Sequence, residues 1–127
     1  MPELSSFDYA VIRVVPRVER EEFINAGVIV SCPSKKFLRA LIELNPQRLA
    51  ALDATLSPDI IKSYLDTIPA ICAGDEEAGL IARLPQRARF HWLVAPRSTI
   101  IQTSPAHTGL CADPEEELHK LLEKMVR

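Results

Sequence analysis

The chain has 127 residues, 47% of them hydrophobic and 25% charged, and a formal net charge of −2. That length suits a single domain over residues 1–127, with a core that needs no covalent staples. The balance excludes a disordered chain, and no apolar run reaches the roughly 18–20 residues that cross a bilayer.

Residues 7–15, FDYAVIRVV, concentrate aromatic and β-branched side chains, and Pro16 closes the run. They predict a first strand with both faces at least partly covered. The charged connector VEREEF has room for a helical turn. INAGVIVSC then predicts a second strand, ended by Cys32, Pro33 and Ser34, and Gly27 inside it marks a bulge or a close backbone approach. KFLRALIEL predicts a third strand, with Leu38, Ala40, Ile42 and Leu44 on one face and Phe37, Arg39, Leu41 and Glu43 on the other. The short loop between the second and third strands makes them antiparallel neighbours.

Asn45-Pro46, Ser57-Pro58 and Asp113-Pro114 each place a capping residue before a proline at a first helical position. The first starts a short helix near 46–53. The second starts a helix with Ile60, Ile61, Tyr64, Leu65 and Ile68 on one side, ended or kinked by Pro69. Residues 75–84 hold one further short helix. RARFHWLV is open between strand and helix end, and STIIQTS predicts a fourth strand with Ile100 and Ile101 facing opposite ways. The third cap begins the clearest helix. Glu116 stands at capping-box spacing from Asp113, and Leu118, Leu121, Leu122 and Met125 form an apolar stripe that should pack on the sheet. The expected class is α+β, an antiparallel sheet of about four strands covered by helices, including a C-terminal amphipathic one.

The N-terminus, MPELSSFDYAV, carries acids and no basic stretch, so a secretory signal is not expected. Three widely spaced cysteines, Cys32, Cys72 and Cys111, do not suggest a disulfide framework. A cytoplasmic location with reduced thiols is the expectation. No CxxC, HxxxH, GxxxxGK[ST] or GxGxxG spacing occurs, so no metal and no cofactor is expected. A site assembled in space from Cys32, Cys111 and a histidine stays open beside the plainer reading of small buried hydrophobes.

Charge is unevenly placed. Between Glu77 and Asp113 there is no carboxylate, and the window's formal charge of +4 leaves −6 for the rest of the chain. It holds Arg83, Arg87, Arg89 and Arg97 with His91 and His107. Such asymmetry marks an anion-facing surface, or else arginines that pair with acids elsewhere in the fold. His91 and His107 form a pair suited to general acid–base work on a phosphodiester, if they meet. Arg97, Ser98 and Thr99 follow the Ala95-Pro96 turn and suit a phosphate or carboxylate, or a structural pair with Glu21, Glu22 or Asp113. Arg20, Glu22 and Asn25 form another polar group, which ties a bulge or helps line a pocket beside Arg97. Ser98 and Ser104 lack a GxSxG setting. Cys111 lies just ahead of the Asp113 helix start, where a thiolate is favoured. If residues 98–104 run beside 7–15, the turns that flank them lie roughly 20 Å apart, at a rise of about 3.3 Å per residue, and Arg97 and His107 cannot share one small ligand unless the chain folds back after Pro105. That predicts two sites or a structural edge.

Two blocks, FDYAVIRVVPRVEREEFINAGVIV and RFHWLVAPRSTIIQTSPAHTGLCADP, resemble the bacterial DUF3037 family, whose function is uncharacterised. With the closing helix they span nearly the whole chain. The resemblance implies a component encoded near HipA-like kinases, in systems of the toxin–antitoxin type. The leading expectation is therefore a small protein without enzymatic activity that binds a protein partner, such as a HipA-like kinase or a second copy of itself as a homodimer. The alternative is a nucleic-acid or nucleotide-phosphate binder, extending to a metal-independent phosphodiesterase using arginine and histidine. The acidic remainder of the chain disfavours a broad nucleic-acid surface, and no membrane partner is expected. The candidate binding residues are Arg20, Glu22, Asn25, Arg89, His91, Arg97, Ser98 and His107.

Overall fold

In the computed structural model, which describes residues 3–127, the rest of the sheet is built around β1 (Ser5–Val14). β2 (Ile24–Cys32) pairs antiparallel along one side of it, and β3 (Phe37–Ile42) pairs antiparallel with β2. The other side of β1 is shared. β5 (His107–Cys111) pairs with Ser5–Tyr9, and β4 (Ile101–Thr103) pairs with Ile12–Val14, both antiparallel. The fold is α+β with a five-stranded sheet, one strand more than predicted.

Alternation along the strands fills two cores, one on each face. Val28, Val30 and Cys32 of β2 and Phe7 of β1 bury against Leu118, Leu121 and Leu122 of α5 (Pro114–Met125). Ile12, Val14 and Ile29 turn to the other face. There they meet Leu49 of α1 (Pro46–Leu52), Ile61 and Leu65 of α2 (Pro58–Leu65), Ile68 and Ile71 of α3 (Thr67–Ala73), and Phe90 and Leu93 of α4 (Gln86–Leu93). Each fully buried aliphatic side chain of this kind stabilises the fold by about 1.5–3 kcal/mol.

Gly27 fulfils both expectations placed on it. Ile12 pairs with Gly27 but Arg13 pairs with Asn25, so Ala26 is the extra residue of a β-bulge. The bulge resets the alternation and sends Ala26 to the core opposite that of Val28. A Cβ on Gly27 would stand 2.6 Å from the Leu41 carbonyl oxygen, so only glycine lets β3 approach here.

The caps form as predicted at Asn45, Ser57 and Asp113. Asp113 accepts from the Glu115 N–H at 3.0 Å, however, and not from that of Glu116, whose carboxylate instead faces Lys120. Other expectations need correction. Helicity breaks at Asp66, before Pro69, and resumes as α3 with Pro69 in its first turn, where its missing N–H costs nothing. Ile61, Leu65 and Ile68 are buried, but Ile60 and Tyr64 are 55% and 52% exposed. Residues 75–84 form two 3-10 turns, Glu76–Ala78 and Ile81–Arg83, separated at Gly79, which has a φ of 101°. RARFHWLV resolves as helix α4. Of STIIQTS only Ile101–Thr103 is strand, and Ile100 and Ile101 pack against the same core. The strand β5 has no counterpart among the predicted elements. Among the described residues no helix is long and apolar enough to cross a membrane.

Candidate functional site

Antiparallel pairing decides which groups of β4 are free. Val15 N–H donates to the Ile100 carbonyl at 2.7 Å, and Ser104 N–H donates to that of Val11 at 2.8 Å. Between these bonds Arg13 and Gln102 are the hydrogen-bonded pair, so the backbone groups of Ile101 and Thr103 point away from β1. The Ile101 carbonyl is taken by the Thr99 hydroxyl at 2.8 Å. The outward groups of Thr103 belong to an open sheet edge.

A cleft flanks this edge in two lobes that meet at Arg97 and Gln102. The apolar lobe encloses about 250 Å³ against Tyr64, Ile68, Ile71, Trp92 and Leu93, with Ile101 and Thr103 on its β4 side. That is below the roughly 300–1,000 Å³ of cofactor and drug-sized sites, and it matches one large side chain better. The polar lobe, about 350 Å³, lies against Arg13, Val15, Glu21, Phe23, Ser98 and Gln102. Trp92 and Phe23, each 42% exposed, stand at the two lobes.

Arg13 is the residue that sequence reasoning missed. Its guanidinium carbon lies 4.1 Å from the Phe23 ring centroid. Its Nε is buried and has no hydrogen-bond partner among the described residues, and no carboxylate pairs with it there. A buried orphan donor on a cation calls for an explanation. The available signal was a lone arginine inside the apolar run FDYAVIRVV. Glu21, also at the polar lobe, holds a left-handed backbone with a φ of 57° as it closes the turn Val18–Arg20.

The predicted site residues scatter. Arg97 caps α4: its guanidinium donates to the Leu93 carbonyl at 2.9 Å and to that of Trp92, and stacks 4.3 Å from the Trp92 ring centroid. It borders the cleft, as does Ser98, but it pairs with helix carbonyls and not with Glu21, Glu22 or Asp113. Arg89 donates to the carbonyls of Leu84, Ile71 and Cys72 at 2.9, 3.1 and 2.6 Å, locking α3 to α4. Arg20 and Glu22 form an exposed ion pair away from both lobes. Asn25 donates to the Met125 carbonyl at 2.9 Å and ties β2 to the end of α5, while its Oδ1 is buried without a partner among the described residues.

His91 and His107 do not form a pair. His91 is exposed on α4 with its ring 6.4 Å from that of Phe90. His107 lies on β5 opposite Tyr9, with ring centroids 5.3 Å apart. The chain does not fold back after Pro105. It continues along β1, where Ile100 sits opposite Val15 and His107 opposite Tyr9. Six residues of β1 separate these points, roughly 20 Å at a strand's rise.

Nucleophiles are withdrawn as well. The Ser104 hydroxyl accepts from Val11 N–H at 2.9 Å and donates to the Pro105 carbonyl at 2.9 Å. Burial pushes the Cys72 thiol up to about 12, against a smaller opposing pull from Arg89. Burial, then the neighbouring Cys32 and Glu117, raise the Cys111 thiol, which overrides the thiolate stabilisation expected ahead of the Asp113 helix. Among the described residues no three histidine, cysteine or acidic side chains gather as a metal site, so Cys32, Cys111 and a histidine do not converge.

The family model for DUF3037, a protein family of unknown function, matches residues 9–126. The chain belongs to the DUF3037 family. No curated protein and no solved structure matches this DUF3037 chain.

Proposed function

We propose that this DUF3037 protein is a non-catalytic, cytoplasmic protein-binding module, whose partner on the family resemblance is a HipA-like kinase. The observation that carries the reading is the open β4 edge between an apolar lobe and a cationic one. Exposed aromatics beside unused backbone groups suit a polypeptide ligand. The placement of His91 beside Phe90 on α4 and of His107 beside Tyr9 on β5, with the buried thiols, supports a binding role over a catalytic one. The nucleotide-phosphate alternative has less support, because Arg89 and Arg97 spend their donors on helix and turn carbonyls.

Co-expression with a HipA-like kinase of the same host, followed by size exclusion with light scattering, tests the reading. Co-elution at fixed stoichiometry is expected. Separate elution, together with RNA binding that weakens steeply with salt or with phosphodiester turnover, overturns it. The same measurement reports whether the free protein is a homodimer.

A further inference from the structure

Resting on the protein-binding reading, we infer that the β4 edge takes an extended segment of its partner as an added strand, and that this segment alternates acidic with large apolar residues. The position of Thr103 sets the register. Its outward N–H and carbonyl can exchange both hydrogen bonds with one residue of an incoming strand. That residue aims its side chain to the face of Thr103, which is the face of the lobe formed by Trp92, Tyr64 and Ile68. The next residue lies opposite Gln102 and aims to the face of Arg13.

Reach and charge choose the residue types. Neighbouring strands lie about 4.8 Å apart, so the residue opposite Gln102 stands about 9.6 Å from the Arg13 backbone. An arginine and a glutamate side chain together span that gap. A carboxylate there would meet the guanidinium whose Nε has no hydrogen-bond partner among the described residues, and the hydroxyl of Ser98 in the same lobe. Glu21 at this lobe opposes the charge and tunes the affinity downward. The apolar lobe, about 250 Å³, holds one large side chain from the alternate position. The acidic residue is thus read by Arg13 and its apolar neighbour by Trp92.

The probe is a fluorescein-labelled octapeptide of alternating Glu and Phe, titrated by anisotropy, beside one of alternating Gln and Phe and one with the first composition in two blocks. Wild-type protein should bind the Glu–Phe peptide about tenfold or more tighter than either control, as a charge-assisted pair predicts. Arg13→Gln should erase the difference between the Glu and Gln peptides, and Glu21→Gln should enlarge it. Thr103→Pro removes an outward donor without breaking the ladder, so it should weaken both alternating peptides. Equal binding of Glu and Gln peptides by the wild type overturns the inference and needs no variant to fold. Undiminished discrimination by a folded Arg13→Gln protein does the same. Kinase co-elution that survives in Arg13→Gln and Thr103→Pro, with no peptide binding, removes the edge site and leaves the protein-binding reading standing. Peptide discrimination without kinase co-elution keeps the edge site and removes the kinase.

Discussion

Ser104 and Val11 bind each other twice: the Ser104 hydroxyl accepts from the Val11 N–H at 2.9 Å, and the Ser104 N–H donates to the Val11 carbonyl at 2.8 Å. This double bond sits where β4 ends and Pro105 interrupts the edge. It supplies the backbone pairing that the proline and its turn remove, and it holds Thr103 and Gln102 in register beside Arg13. Ser104→Ala should leave a buried Val11 N–H without an acceptor and cost about 1–3 kcal/mol. Chemical denaturation should read that loss, and amide exchange should quicken first at Val11 and Ser104. An unchanged midpoint would show that the hydroxyl is dispensable.

Gly27→Ala should be more damaging than its size suggests. The added methyl would stand 2.6 Å from the Leu41 carbonyl oxygen and 3.0 Å from the Ile12 and Ile42 side chains. Backbone cannot yield as a flexible side chain does, so β3 must shift or the bulge at Ala26 must move. A loss of about 1–3 kcal/mol is expected, as for other overpacked sites. A thermal melt within a degree of wild type would contradict it.

Much of this frame could be read from residue order, and the reasons are local. The caps at Asn45, Ser57 and Asp113, the stripe Leu118–Leu121–Leu122 and the glycine in β2 report short-range physics. The edge did not reveal itself that way. β4 is three residues long and β5 carries the weak strand pattern HTGLC, so both depend on β1 for their existence. Arg89 and Arg97 carry the same signal as anion-binding arginines until their carbonyl partners are known. Arg13 lies inside the apolar run FDYAVIRVV with nothing in the sequence to single it out, and only the packing of Phe23 over it shows a partly buried cation.

Arg89→Ala should therefore report on stability. Its donors hold three carbonyls from two separate segments, and hydrogen bonds to a charged group contribute about 1.5–3 kcal/mol. A loss of that order is expected in urea unfolding, and Arg89→Lys should recover little of it, because an ammonium cannot reproduce the planar fork. Full stability of Arg89→Ala would return the residue to the list of ligand-binding candidates.

Cys72 should resist alkylation in the native state. Its thiol is pushed up to about 12 by burial, so the reactive thiolate is scarce at pH 8 and the sulfur is covered. The sign of the linkage follows. The unfolded chain releases this proton near the ordinary thiol range, whereas the folded one retains it. The folded state's advantage is intact below that range and declines as pH rises from about 9 toward 12. Iodoacetamide labelling followed by mass spectrometry should show Cys72 modified only with denaturant present. Rapid native labelling at pH 8 would mean that α3 opens locally.

Arg97→Ala and His107→Ala should change different properties of the protein. Arg97 closes the end of α4 through the Leu93 and Trp92 carbonyls and holds the Trp92 ring by stacking. Its loss should destabilise α4 by about 1.5–3 kcal/mol, disorder Trp92 and alter the apolar lobe. The fluorescence of Trp92, the chain's one tryptophan, reports this directly. His107 is exposed and touches Tyr9 on the far part of the edge, so His107→Ala should leave both the melt and the Trp92 signal near wild type. Peptide affinity at the β4 edge should fall with the first variant and hold with the second. If both variants, still folded, lost one and the same activity by an order of magnitude or more, the two side chains would have to converge on a common ligand. A path of roughly 20 Å along β1 would then have to close by a rearrangement of β5.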